Sequence, residues 1–109
     1  MPIARRWRAV ATPEGAAAYV RYFDGTLRAQ LAALPGFRGA LILVASANTQ
    51  SRPEARIEVI TQWSSMDAVR GFAGERAETA VVEPEARALL VSWDDQVEHV
   101  PIALDTRDL

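Results

Sequence analysis

Phe37-Arg38-Gly39-Ala40-Leu41-Ile42-Leu43-Val44-Ala45-Ser46 decides how this chain folds. Pro35-Gly36 stands in front of it, its length suits a strand, and successive side chains on a strand point to opposite faces. Leu41 and Leu43 therefore take one face, and Ala40, Ile42 and Val44 take the other. Neither face is polar. The same holds in Arg56 to Trp63, where Ile57, Val59 and Trp63 oppose Ile60, and in Gln96 to Ala103, where Val97 opposes Val100 and Ile102. A sheet with helices on one side is ordinarily polar on the other. This sheet is apolar on both.

Working backwards from Pro35-Gly36, Ala16, Tyr19, Val20, Phe23, Leu27, Leu31 and Leu34 recur at intervals of three and four, the stripe of a half-buried helix. Thr12 stands as its N-cap, with Pro13 at the first helical position. Asp24-Gly25 interrupts the stripe, since glycine within a helix costs about 1 kcal/mol against alanine. The interruption reads as a kink, a close approach or a plain cost. In front lies Ile3 to Ala11, with Ile3, Arg5, Trp7, Ala9 and Ala11 on one face and Arg6, Arg8 and Val10 on the other: a strand. If Arg6 and Arg8 lie on a covered face, they need carboxylates such as Glu58 or Glu98, because an unpaired buried charge costs several kcal/mol, roughly.

Working forwards, Ala47 to Ala55, containing Asn48, Ser51 and Pro53, reads as a polar loop. Ser64-Ser65-Met66-Asp67 resembles a capping box with Asp67 in the place of Glu. It opens a short helix that turns Met66, Val69, Phe72 and Ala73 inward and breaks at Gly74. Helical spacing continues through Glu75 to Val82, Pro84 to Leu90 adds a turn, and Asp105 to Leu109 forms a loose tail. The order β-α-β-β-α-β is the split βαβ pattern. The expected fold is α+β and ferredoxin-like, a four-stranded antiparallel sheet in a single domain over 1–109 with its core at 3–103. A domain of this size holds no second layer of its own for the free face, so that face marks an interface. The simplest cover is a second copy of the chain related by a two-fold axis.

Composition narrows the function. The chain has 109 residues, 50% of them hydrophobic and 24% charged, with a net charge of −2. That balance argues against a nucleic-acid or anionic-membrane partner. No apolar run approaches a membrane span, and the N-terminus carries no secretory h-region, so the expected location is cytoplasmic. Without cysteine there is no disulfide, thiolate metal site or cysteine nucleophile, and one histidine cannot form a multi-histidine metal cluster. Every basic residue is arginine, which removes lysine chemistry. Gly36, Gly39, Gly71 and Gly74 form no phosphate-cradling loop, Trp93-Asp94-Asp95 reads as a solvated turn, and no Gly-x-Ser-x-Gly elbow occurs.

Four segments together resemble the antibiotic biosynthesis monooxygenase-like family of the dimeric α/β-barrel superfamily. They are Leu34-Pro35-Gly36-Phe37-Arg38-Gly39, Thr61-Gln62-Trp63-Ser64-Ser65-Met66-Asp67-Ala68-Val69, Phe72-Ala73-Gly74-Glu75 and Val97-Glu98-His99-Val100. The resemblance implies a ferredoxin-like protomer, a dimer, and a pocket between sheet and helices. It further implies either cofactor-independent oxygenation of polycyclic phenols and quinols or, in related branches, haem degradation. Trp63 matches the tryptophan of the haem-degrading branch, but its histidine position falls near Ala73, and Trp7 and Arg8 stand where its first strand has asparagine. At the offsets where the quinone-forming oxygenases carry asparagine, tyrosine and arginine, this chain has Val59, Val69 and Glu83. Val100 follows His99 where close relatives carry tyrosine.

The candidate residues follow. His99 alone has an unperturbed pKa suited to proton transfer near neutrality, and it becomes the candidate base. Trp63 becomes the stacking wall for a flat substrate. Both have bland alternatives, a structural histidine and a core tryptophan. Trp7, Tyr19, Phe23 and Phe72 are candidates for binding substrate, or are simply core. The leading expectation is a small homodimeric monooxygenase-like enzyme that uses no cofactor or metal on a hydrophobic aromatic compound. The alternatives are a non-catalytic small-molecule-binding dimer and an isomerase or cyclase on the same scaffold.

Overall fold

The computed structural model describes residues 1–49 and 52–108. The elements run β1 (Ile3–Ala11), α1 (Pro13–Tyr22), a π-helical turn (Phe23–Leu27), α2 (Arg28–Ala32), β2 (Phe37–Thr49), β3 (Arg52–Trp63), α3 (Met66–Ala73), α4 (Pro84–Arg87), β4 (Ser92–Trp93), β5 (Glu98–Pro101) and a final 3-10 turn (Thr106–Asp108). The sheet order is β2-β3-β1-β4, with β5 also pairing β1, and every pairing is antiparallel. This is the ferredoxin-like arrangement. Its last strand is divided, β4 meeting the end of β1 at Ala9 and Val10 while β5 meets its start from Ile3 to Arg6.

Directly opposed residues share a face, so the register sorts the side chains. Ile3, Trp63 and Phe37 stand in one row of the helix-facing side, Arg5, Thr61 and Ala40 in the next, and Trp7, Val59 and Ile42 in a third. Thr12 caps α1, its Oγ1 accepting from the Gly15 amide at 3.0 Å. Ser65 caps α3, its Oγ accepting from the Ala68 amide at 3.2 Å. Asp67 does not complete a capping box. It sits one residue too early to reach back and pairs instead with Arg70 at 3.0 Å. Trp63 and Val69 are wholly buried where α3 lies on the sheet.

Four expectations need correction. The expected loop over 47–55 is mostly strand: β2 and β3 stay paired out to Thr49 and Arg52, and Ser51 lies outside the described residues. β3 is an inner strand, but β1 pairs with it only as far as Ala55, so Pro53 stands in a two-stranded stretch near the hairpin's end, where one side of the backbone needs no ladder bond. Glu75 to Val82 is not a helix. Gly74 ends α3 at φ 83°, and the following chain runs irregularly, held by a bridge between Thr79 and Gln96. The last strand is confined to Glu98–Pro101, with the unforeseen β4 ahead of it. The described part of the tail is tied down, since Arg107 donates to Gln62 on β3, while Leu109 lies outside the described residues.

The other face of the sheet is apolar at its edge and ionic at its centre. Leu41 and Leu43 are 54% and 49% exposed, and Val100 is also exposed. Between them, Glu58 accepts from Arg6 at 2.9 Å and lies 3.3 Å from Arg8, while Glu98 lies 3.4 Å from Arg6. The two arginines find the carboxylates that their position requires.

Candidate active site

Between the helix-facing side of the sheet and the helices lies a cavity of about 310 Å3, within the roughly 300–1,000 Å3 usual for small-molecule sites. β1 supplies Arg5 and Trp7, and β3 supplies Val59 and Thr61. α1 supplies Tyr19, the π-helical turn Phe23 and Leu27, α2 Gln30 and Leu31, and α3 Gly71 and Phe72. The irregular segment closes it with Val81, Val82 and Glu83, joined by Leu34, Ala86 and Val97. The wide turn at Phe23–Leu27 has a local cause: the Arg28 amide bonds the Phe23 carbonyl, five residues back.

Trp7, Tyr19, Phe23 and Phe72 are thus brought to one cavity. Tyr19 is the hub, with its ring centre 6.1 Å from Trp7 and 6.4 Å from Phe23. The Trp7 Nε1–H donates to the Asp94 carbonyl at 2.9 Å, which fixes the indole plane. Burial raises the Tyr19 pKa above its ordinary value, so its hydroxyl stays protonated.

Trp63 and His99 are placed differently. Trp63 is 0% exposed and outside the cavity lining. Its Nε1–H donates to Thr61 Oγ1 at 2.9 Å, and its ring stacks on Phe72 at 5.3 Å with 23° between planes. It touches the cavity through Phe72 and Thr61. His99 stands opposite Arg5 in the β1–β5 register, and its Nε2 lies 2.9 Å from Arg5 Nη1. A guanidinium only donates, so Nε2 accepts and the ring proton sits on Nδ1. Burial and the Arg5 charge both hold the His99 pKa below its ordinary value, with Glu78 opposing them and Arg70 reinforcing them.

Arg5 is the residue that sequence reasoning passed over. Only 4% exposed, it donates to the Ala77 carbonyl, to His99, and to the Thr79 carbonyl at 3.0 Å, and its guanidinium carbon lies 5.6 Å from the centre of the Phe72 ring. Burial lowers its pKa to about 10, which leaves it charged at neutrality. Among the described residues no carboxylate forms a salt bridge with it. Its signal was available: an arginine at an inward position of an otherwise apolar strand face.

No family model and no curated protein matches this sequence. Solved structures do match. A heme-degrading protein from Mycobacterium tuberculosis is similar at 21% identity and TM-score 0.55, over 96% of this chain and 98% of that one. A Streptomyces coelicolor monooxygenase, solved with nanaomycin D, is similar at 18% identity and TM-score 0.52, over 95% and 89%. A Bacillus cereus protein described as an antibiotic biosynthesis monooxygenase is similar at 17% identity and TM-score 0.52, over 96% and 95%. The chain has the fold of the antibiotic biosynthesis monooxygenase-like proteins.

Proposed function

We propose that the chain is a small homodimeric monooxygenase-like enzyme acting on a hydrophobic aromatic compound with an acidic hydroxyl, a phenol or quinol. The observation that carries this reading is the cavity itself: aromatic rings on several sides, with one uncompensated guanidinium in the wall. Flat rings pack against Trp7, Tyr19, Phe23 and Phe72, and apolar walls exclude water from an electron-rich substrate. In such a reaction the substrate reduces dioxygen. One oxygen atom enters a ring carbon, and the other leaves as water with the two hydrogens that the substrate gives up.

His99 serves this site through Arg5, which it holds in place, since its Nε2 lone pair is already engaged. Trp63 serves it by backing Phe72. Haem does not suit this donor set, because the single histidine stands outside the cavity lining with Nε2 committed to Arg5. An isomerase or cyclase that used His99 as its base is not favoured, because its Nε2 is engaged by Arg5. The dimer reading rests on Leu41, Leu43 and Val100 exposed on the sheet's free face.

The experiment is dioxygen uptake by purified protein over a panel of quinols and polycyclic phenols, with ligand binding followed by tryptophan fluorescence. Uptake above the uncatalysed rate, reduced at least tenfold by Phe72→Ala, is expected. Binding with no uptake on any compound would leave a non-catalytic binding protein.

A further inference from the structure

We infer that Arg5 makes the cavity an anion site: its ligand binds with a negatively charged oxygen, conjugated to the flat ring, against this guanidinium. The inference rests on the aromatic-ligand reading above and specifies which such compounds fit.

A guanidinium carries five N–H donors. Three are engaged, two on Nη1 by Ala77 and His99 and one on Nη2 by Thr79. That leaves one on Nη2 and the one on Nε. Among the described residues no buried side-chain nitrogen lacks a partner, so Nε, which makes no bond of its own, meets accessible space, and Arg5 lines the cavity. All three acceptors of Arg5 are neutral, two carbonyls and an imidazole held neutral by its surroundings. The buried positive charge is therefore solvated but not neutralised. Buried charges in proteins are ordinarily paired with an opposite charge, and here the pairing charge is left for the ligand to bring. Glu83, the carboxylate of the lining, belongs to the exposed segment ahead of α4 and makes no salt bridge with Arg5.

Two chemistries present such an oxygen, an ionised hydroxyl conjugated to a ring carbonyl and an aromatic carboxylate. The site discriminates against an uncharged ring of the same size, because that ring leaves the guanidinium desolvated and unpaired.

The test uses three probes on the intact protein near neutral pH: 2-hydroxy-1,4-naphthoquinone, which is ionised there, its uncharged 2-methoxy ether, and 2-naphthoate. Calorimetric titration is expected to show at least one anion binding tenfold or more tighter than the ether. The anion preferred identifies which oxygen chemistry the site takes. In Arg5→Met, shown folded by circular dichroism, that preference is expected to vanish while the ether still binds. Equal or tighter binding of the ether by the unmodified protein overturns the anion site and leaves the aromatic cavity standing. No binding of any probe overturns both. The comparison of probes on the unmodified protein gives the answer even where Arg5→Met does not fold.

Discussion

His99 shows how a neighbour changes what a residue can do. Its ordinary pKa, about 6.5, suits acid–base work, yet burial and Arg5 disfavour the imidazolium in the folded protein. The unfolded chain therefore binds more protons just below pH 6.5, and stability rises with pH wherever that holds. The His99 contribution is complete above about pH 6.5 and is lost as pH falls toward the lowered folded-state value. The groups facing it are Arg5 on β1, Arg70 on α3 and Glu78 on the irregular segment. Thermal unfolding at about pH 7.5 and about pH 5.5 is expected to show a larger drop for the unmodified protein than for His99→Gln, whose amide oxygen still accepts from Arg5. Equal drops would remove His99 as the titrating group. The division of β1 into two faces was readable residue by residue from alternation, which set Trp7 beside Ile3 and Ala9 but left cavity wall and core both open for it. That Arg5 rather than His99 lines the cavity was not readable, because the two stand opposite each other on one face of the sheet and alternation does not separate them.

Among the elements, two glycines that look alike in sequence have opposite physical standing. Gly36 lies between α2 and β2 at φ 82°, and a Cβ there would stand 2.5 Å from the Ala68 Cβ and 2.6 Å from Ser64 Oγ. Gly25 lies in the π-helical turn with nothing within 4 Å of a Cβ. Gly25→Ala is therefore expected to stabilise by about 0.5–1 kcal/mol, and Gly36→Ala to destabilise by about 1–3 kcal/mol from strain and overlap. Denaturant unfolding of the pair checks both signs. Of the readings open for Asp24-Gly25, a close approach is thus excluded, and a change of helical geometry is what the structure shows. Caps and stops were legible because they are local: Thr12, Pro13, Ser65 and Gly74 act within a few residues. Glu75 to Val82 was misread because its spacing imitates a helix while its hydrogen bonds go to distant chain, Ala80 to Asp95 and Val97 to Glu78.

For the molecule as a whole, the longest dimension, 43 Å, is about the length of a 13-residue strand at 3.3 Å per residue, which is the size of β2. Its hairpin with β3 carries Leu41 and Leu43 on the free face beside the Arg6–Glu58–Arg8 cluster. The partly exposed ion pairs are each worth only about 0–1 kcal/mol, so the apolar edge dominates any association there. If that edge meets a second copy, the protein sediments at twice the 11.9 kDa of one chain, and Leu41→Glu with Leu43→Glu is expected to return it to single chains without unfolding. Sedimentation velocity at micromolar concentration is the measurement.

The guanidinium on β1 grips the chain as well as facing the hollow. Ala77 and Thr79 hang from it by their carbonyls, and a few residues later that same stretch supplies part of the cavity wall. Occupancy and order of the wall are therefore thermodynamically reciprocal: what one gives to the other must come back in equal measure. An anion that steadies Arg5 is expected to slow amide hydrogen exchange at Ala80 and Val97, whose bonds close that stretch, while the amides of the distant hairpin keep their rates.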